Sequence, residues 1–469
     1  MLAASLSALI GLVQYFGLAA PFSPWISQNQ AGEAFANLRQ RNQFATLTSI
    51  GLVALLVWDA LLEKPARLHE ARRAPWWVSA LAVLLALGNA ASGSRTGLLQ
   101  WGLIGLIAAW WFWPQRRQQR HLLALALQAL LAYGVAVLVL PWLLALATGA
   151  HSGGLFGRLV TDTGCSSRKV LWSNVLTLIA QKPWLGWGWG ELDYAHFVTL
   201  YPGARFCEIL DNAHNLPLHL AVELGLPAAF ALCGGAAWLV WRARPWRETD
   251  PVRQMAWSVL AVIGLHSLLE YPLWYGPFQI AAGLCVGLLW TNRGVGQVFD
   301  TNYRPSLRSP SPAAPYLRVL LAISLGAMVA GAAISYHQVS QIYLLPAQRS
   351  AVYRHDTLNK IRNNRLFRPQ ARFAELSLTG LTRSNAADVN AMAKELLHYS
   401  PEPRVIEKLI ESAVMLGRED EALAYLIRYR AAFPADHARW AEENAAANAG
   451  VAQQIASSFL PDAEWFHER

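Results

Sequence analysis

The side chains that could carry chemistry are concentrated in one polar interval, residues 151–214, between two long apolar segments. The interval ends in the run Asp211-Asn212-Ala213-His214-Asn215. An imidazole can take a proton from a hydroxyl at neutral pH, so we predict an acid–base role for His214 with Asn215 beside it. The alternative is a helix-entry histidine whose polar atoms are satisfied by water.

An arginine and a tryptophan-rich turn lie earlier in the same interval. Arg168 stands at the head of an apolar helical run, 170–180, where its planar fork suits bidentate binding of a diphosphate. The alternative is an arginine that reaches lipid headgroups. Residues 183–190, PWLGWGWG, form an aromatic and glycine-rich turn. Its tryptophans suit either sugar stacking or a bilayer interface, and composition does not choose between these.

A carboxylate follows the histidine within the next apolar segment. Glu223 lies nine residues after His214, and a carboxylate in a membrane segment is costly enough to indicate a function. The sequence has no GxSxG, phosphate-binding P-loop, HExxH or CxxC motif. His214 and His219 are five residues apart, which fits one helix face poorly and argues against a two-histidine metal site.

The composition is that of a polytopic membrane protein, with 54% hydrophobic and only 15% charged residues in 469. Residues 336–469 carry 16 basic and 16 acidic side chains, so the net charge of +9 arises in the first 335 residues. This excess is a topology signal and argues against nucleic-acid binding.

Nine apolar segments are candidate membrane helices: 2–20, 44–62, 75–91, 96–113, 122–147, 216–241, 255–269, 273–290 and 317–335. Alternate connections hold 14 Lys and Arg residues against three on the other side, which places the basic set in the cytoplasm. The 151–215 loop and the C-terminal region then lie outside, in the periplasm of a bacterium. We expect an all-α fold with membrane helices in 1–150 and 216–335, a periplasmic loop at 151–215 and a helical domain at 336–469.

Two further features concern the regions outside the membrane. Cys165 and Cys207 both fall in the polar loop and could form a disulfide there, or remain two small unpaired hydrophobes. Residues 401–434 resemble one tetratricopeptide-like helical hairpin. A small α-helical domain without such repeats is an equally good reading.

Several short motifs occur in an order that resembles a known superfamily. They are 37–45 (NLRQRNQFA), 94–97 (SRTG), Ser167-Arg168 with Leu171-Trp172, 183–190, His214-Asn215 with 223–225 (ELG), and 268–275 (LLEYPLWY). Together they resemble the O-antigen ligase and polymerase superfamily, and within it the PglL-type bacterial protein O-oligosaccharyltransferases. The resemblance runs from about residue 5 to residue 290.

The resemblance implies an inverting, GT-C-type glycosyltransferase in the bacterial inner membrane with its active site facing the periplasm. Its donor would be an oligosaccharide on undecaprenyl diphosphate, and its acceptor a Ser or Thr hydroxyl of a periplasmic or pilin-like protein. Arg168 would bind the diphosphate, His214 would activate the hydroxyl, and Arg95 and Arg205 would be weaker diphosphate contacts. Asn215 and Glu223 complete the expected substrate-binding set, and no cofactor is implied.

The resemblance also sets expectations about the ends of the chain and about other functions. Family members usually carry further spans before the segment that matches 2–20, so we expect this chain to be short at its start. An O-antigen ligase or a repeat-unit polymerase would use the same donor with a glycan acceptor. A non-enzymatic lipid or glycan transporter is a more distant alternative, which would predict internal repeats.

Overall fold

The computed structural model describes residues 1–61, 75–113, 120–150, 153–155, 157, 164–290 and 313–447. All regular elements in these ranges are helices, which confirms the all-α prediction. The basic connections predicted at 62–74, 114–119 and 291–312 lie outside the described residues.

In the residues that the structure describes, the first half of the chain has nine α-helices. In order they are α1 Leu2–Tyr15, α2 Arg41–Leu61, α3 Trp76–Ala91, α4 Arg95–Phe112, α5 Arg120–Thr148, α6 Arg168–Gln181, α7 Leu192–Val198, α8 Leu216–Leu224 and α9 Leu226–Ala243. The second half begins with two apolar helices and continues with a long helix and six shorter ones. These are α10 Pro251–Ser267, α11 Gly276–Trp290, α12 Ala313–Ser340, α13 Thr357–Ile361, α14 Arg368–Leu378, α15 Ala386–Leu397, α16 Pro403–Met415, α17 Glu419–Ala432 and α18 Pro434–Ala447.

Within the described part of the chain, four helical segments are long and apolar enough to cross a membrane: Arg41–Leu61, Arg120–Thr148, Leu226–Arg247 and Val319–Tyr343. The last two have 6% and 0% of their most apolar window buried in the protein. Leaving that much apolar surface in water would cost about 25 cal/mol per Å². A lipid environment removes this cost, so the chain is a membrane protein.

The chain divides into two units, each with its own core. The first comprises Met1–Gly164, Asn212–Leu220 and Pro227–Arg304. Helices α1 to α5, α10 and α11 pack around apolar residues there, including Leu52, Leu85, Trp101 and Val262. Helices α10 and α11, which correspond to the predicted segments 255–269 and 273–290, pack directly on each other.

The second unit comprises Cys165–Asp211, Ala221–Leu226 and Pro305–Arg469. Its disulfide joins Cys165 to Cys207, with Cα atoms 5.4 Å apart, so the predicted pairing is confirmed. Phe197 of α7 lies in the same apolar core as Leu409 of α16 and Tyr429 of α17. The predicted 401–434 hairpin corresponds to α16 and α17, which pack on each other.

The sixth predicted segment, 216–241, is wrong as one continuous helix. It breaks between α8 and α9 at Gly225, whose φ is +84°. The break fits against the 183–190 turn, because the N–H of Leu226 donates to the carbonyl of Pro183 at 2.8 Å. Trp187 and Gly188 donate to the carbonyls of Val222 and Glu223 at 2.9 and 3.0 Å. The sequence pattern missed this because both partners are apolar and lie far apart in the chain.

Gly186 should tolerate alanine less well than Gly190 does. Both have positive φ, +68° and +79°, so alanine at either position adopts a left-handed conformation that costs about 1–2 kcal/mol of stability. A Cβ at Gly186 would also lie 2.3 Å from the carbonyl oxygen of Glu223, whereas a Cβ at Gly190 meets open space. We expect Gly186→Ala to lower the free energy of unfolding by about 1–3 kcal/mol more than Gly190→Ala does. Thermal unfolding of the full chain in detergent measures the difference, and equal midpoints would contradict it.

Candidate active site

His214 occupies a strained position in the loop that precedes α8. Its φ is +50°, a left-handed value that costs free energy in a non-glycine residue. The loop is fixed by hydrogen bonds from both sides of the histidine. Asn212 accepts from the His214 N–H at 2.9 Å, while Asn215 accepts from the Leu218 N–H and donates to the Leu268 carbonyl at 3.1 and 3.0 Å. The two asparagines therefore hold the imidazole in one place.

The His214 imidazole is paired with a carboxylate. Its Nδ1 lies 2.8 Å from Oε2 of Glu270, just beyond the end of α10. The histidine side chain is 27% exposed and that of Glu270 only 7%. An ionised carboxylate can only accept, so a hydrogen bond to ionised Glu270 requires the proton on Nδ1 and leaves the lone pair on Nε2. This arrangement is chemically suited to a base at Nε2, because Glu270 would stabilise the imidazolium that forms.

The second oxygen of Glu270 is held from another helix. Asn42 on α2 donates from Nδ2 to Oε1 of Glu270 at 3.0 Å. Its own Oδ1 accepts from the Ser94 hydroxyl at 2.6 Å. Ser94 is the N-cap of α4, where its oxygen accepts from the Gly97 N–H at 3.0 Å. Four segments of the chain thus meet around one carboxylate.

A buried polar network continues from this cluster into the helices. The Thr46 hydroxyl lies 2.8 Å from Nδ1 of His266, one turn before Glu270, and 2.8 Å from Nε2 of Gln100. Ser49 donates to Gln100 at 3.0 Å, and Asn89 donates to the Ala45 carbonyl at 2.8 Å. Such side-chain bonds between apolar helices fix their rotation and register. They set where the ends of α2, α4 and α10 lie.

Two of the other predicted site residues stand at helix starts. Arg95 is the first residue of α4 and is half-buried. Arg168 is the first residue of α6, after the N-cap Ser167, whose side chain accepts from the Val170 N–H. The N-terminus of a helix favours anions because its N–H groups are free and its dipole is positive there. Arg168 is therefore well placed for the phosphate binding that the sequence predicts.

Arg205 and Glu223 have structural partners. The Arg205 guanidinium donates to the carbonyls of Thr199 and His196, both at 2.9 Å, and burial lowers its pKa. Glu223 is 2% exposed, and the N–H groups of Gly190 and Leu192 bond to its side chain. Both residues stabilise the loop structure of the second unit. Their predicted contacts with substrate are untested.

Two elements of the site were missed from the sequence. Glu270 and Asn42 lie within two of the motifs, 268–275 and 37–45, but neither residue was predicted to act with His214. A signal was available, because Glu270 is a lone carboxylate between two apolar segments. Its partner could not be read from spacing, since 56 residues separate it from the histidine.

Three families match successive parts of the chain. The protein glycosylation ligase family matches residues 34–58, and the O-antigen ligase family matches residues 80–233. A family described as the C-terminal part of virulence factor membrane-bound polymerases matches residues 254–447. The resemblance indicated by the motifs is therefore confirmed.

Two curated relatives come from Acinetobacter baylyi. A general O-oligosaccharyltransferase is 26% identical over 293 residues, which is 61% of this chain and 48% of the relative. A ComP-specific O-oligosaccharyltransferase is 26% identical over 271 residues, or 56% of this chain and 45% of the relative. The chain thus spans about half the length of the curated relatives it matches. No solved structure matches significantly.

The second unit should lose stability between about pH 4 and pH 7 because of Asp193. Burial raises the pKa of this carboxyl to about 7, with Glu191 and Asp211 adding to the effect. The unfolded chain releases the proton near pH 4, so the folded state binds more protons across this window and its stability falls as the pH rises. We expect Asp193→Asn to remove this part of the pH dependence in thermal unfolding of the full chain. Glu208→Gln, at an exposed carboxylate in the same loop, is the control and should leave it unchanged.

Proposed function

We propose that this protein transfers an oligosaccharide from undecaprenyl diphosphate to Ser or Thr hydroxyls of periplasmic or pilin-like proteins. The observation that carries the proposal is the His214–Glu270 pair, which leaves Nε2 of His214 as a base. The names of the two relatives, both O-oligosaccharyltransferases, support this reaction class. The matches to the protein glycosylation ligase and O-antigen ligase families support a lipid-linked donor.

In the proposed reaction, Nε2 of His214 takes the proton of the acceptor hydroxyl. The hydroxyl oxygen attacks the anomeric carbon of the first sugar as the bond from that carbon to the diphosphate oxygen breaks. The electron pair of the broken bond leaves on the diphosphate, and attack from the opposite face inverts the anomeric configuration. Glu270 stabilises the imidazolium that forms, as the carboxylate does in a catalytic triad.

The developing charge on the diphosphate needs a cation, and Arg168 is our first candidate. Its position at the start of α6 combines a guanidinium with the positive end of a helix dipole. Arg95 is a second candidate because it is half-buried at the start of α4. Arg205 is weaker, since its guanidinium already donates to two carbonyls.

We further propose the membrane arrangement that the charge pattern predicts. Nine spans would lie in the bacterial inner membrane, with the 151–215 loop and the 336–469 domain in the periplasm. The Cys165–Cys207 disulfide supports this orientation, because disulfides persist in the periplasm and are rare in the cytosol. The partners would be the lipid-linked donor, the acceptor protein and membrane lipids.

A glycan acceptor is the second candidate, in an O-antigen ligase or a repeat-unit polymerase. The match of residues 254–447 to a polymerase family favours it, since that match includes Glu270. The donor and the chemistry would be the same.

Cells with and without the gene distinguish the two candidates. Loss of glycans from Ser or Thr of periplasmic proteins by mass spectrometry, with unchanged lipopolysaccharide on gels, supports the protein acceptor; loss of the lipopolysaccharide ladder instead supports the glycan acceptor.

Glu270→Gln should lower kcat by roughly 10²- to 10⁴-fold, the range expected when a base is held in the wrong tautomer. The new amide would keep its oxygen toward the Asn42 donor and present its NH₂ to Nδ1 of His214. Nδ1 would then have to accept, which moves the imidazole proton to Nε2 and removes the base. Transfer of oligosaccharide from extracted undecaprenyl-linked donor to a pilin-type protein measures the effect.

Two variants control this experiment. His214→Ala should abolish transfer while leaving membrane insertion intact. Glu248→Gln removes another partly buried carboxylate, which bonds to Arg253 near the opposite end of α10, and should leave kcat unchanged. Full activity of either His214→Ala or Glu270→Gln would contradict the proposed base.

Arg168→Lys should raise the KM for the lipid-linked donor about tenfold or more, because lysine keeps the charge but loses the bidentate fork. The adjacent Lys169 is exposed and provides the matched control. We expect Lys169→Gln to leave the donor KM unchanged. Equal effects of the two substitutions would indicate a general surface charge and would contradict a specific contact from Arg168.

A further inference from the structure

Asn42 bonds on both sides of its side-chain amide. Its NH₂ group faces Oε1 of Glu270 at 3.0 Å and its carbonyl oxygen faces the Ser94 hydroxyl at 2.6 Å. The hydrogen bonds of Asn42 are with Glu270, Ser94 and Thr46, and none is with His214. Its amide is nevertheless the link between a helix cap and the carboxylate that holds the base.

The orientation of the Asn42 amide follows from its two partners. An ionised Glu270 carboxylate can only accept, so the Asn42 group that faces it is the NH₂ group. The side-chain oxygen of Asn42 then faces Ser94, whose hydroxyl donates to it while the Ser94 oxygen accepts from the Gly97 N–H.

The Asn42 donor acts on the charge and the rotation of Glu270. A carboxylate that is only 7% exposed is costly to ionise unless donors surround it. A donor on Oε1 favours the ionised form, and it also fixes the carboxylate plane so that Oε2 faces Nδ1 of His214 at 2.8 Å. An ionised, correctly rotated Glu270 is what keeps the imidazole proton on Nδ1.

We propose that Asn42 is a positioning residue for the proposed glycosyl transfer, acting through Glu270 on the tautomer of His214, with Ser94 as its support. This inference rests on the proposed function. It assigns a catalytic consequence to an asparagine on α2 that is 172 positions before the histidine. The role is indirect, so its effect depends on the residue at position 270.

The test is an exchange of the amide and the carboxylate between positions 42 and 270. In Glu270→Gln alone, the Asn42 NH₂ group holds the glutamine oxygen and turns its NH₂ group toward His214. Adding Asn42→Asp replaces that donor with an acceptor, while Ser94 can still donate to the aspartate. The glutamine should then turn its NH₂ group to position 42 and its oxygen to Nδ1 of His214. The double variant should recover at least about tenfold in kcat over Glu270→Gln alone, which corresponds to about 1.4 kcal/mol.

Asn42→Ala provides the second measurement. We expect it to lower kcat by roughly 10- to 100-fold, the scale of a small misplacement of a catalytic group. The donor KM should remain unchanged, because Asn42 has no contact with the diphosphate in this scheme. In the Glu270→Gln background the same substitution should cost little more, since residues that act through one another are not additive. A merely structural asparagine would reduce folded protein without this coupling.

The matched control is Asn37→Asp, which places the same charge in the segment before α2. Asn37 is exposed and bonds to the main chain of Trp25 and Ser27, without contact to Glu270. It should give no rescue of Glu270→Gln. Rescue by Asn37→Asp would show that charge alone is responsible and would overturn the positioning role.

The outcomes separate this inference from the proposed function. Suppose that His214→Ala and Glu270→Gln lose activity, while Asn42→Asp does not rescue Glu270→Gln and the effects of Asn42→Ala and Glu270→Gln add. This result would support His214 as the base but would overturn the positioning role of Asn42. If His214→Ala keeps full activity, the proposed function fails whatever the Asn42 variants do. Rescue in the exchanged double variant, together with non-additivity, supports both. All measurements use the full chain in detergent, with folded protein quantified by size-exclusion chromatography.

Discussion

The hydrogen bond between His214 and Glu270 is the constraint on which the first unit depends. A carboxylate that is almost fully buried costs several kcal/mol unless donors replace its water. Glu270 has such donors from His214 and from Asn42, on separate parts of the chain. Each donor needs its own support, from Asn212 in one case and from Ser94 in the other. The hydrogen bonds that a single buried carboxylate requires thus fix two loops and two helix ends.

The helices around this carboxylate are held by contacts that have no role in the chemistry. Apolar packing alone does not set the rotation of one membrane helix against another, because lipid is as apolar as the helix surface. The bonds of Thr46 with His266 and Gln100 supply the missing specificity. A rotation of α2 that broke them would also move Asn42, one turn earlier on the same helix. The position of Asn42 in the site therefore depends on the polar network within the helices.

Local signals in the sequence predicted part of this arrangement. Arg168 stands at a helix start, His214 lies just before one, and the two cysteines share a loop, so neighbouring residues were enough to single them out. Glu270 and Asn42 come into contact only when α10 packs on α2, and they are 228 residues apart in the sequence. The break at Gly225 was missed for the same reason, since its cause is a turn about 40 residues earlier. Periodicity predicts elements well, but it carries no information on which distant polar groups those elements bring together.

In the proposed reaction, the contacts of His214 also limit where acceptor specificity can reside. Asn42, Ser94, Glu270 and Asn212 bond to one another or to His214, so these contacts are made without an acceptor. The proposed base therefore makes the same demand of any hydroxyl, whether that hydroxyl belongs to a protein or to a glycan. On this proposal, selection among acceptors falls to surfaces outside the network, and a change of acceptor needs no change in the contacts of His214.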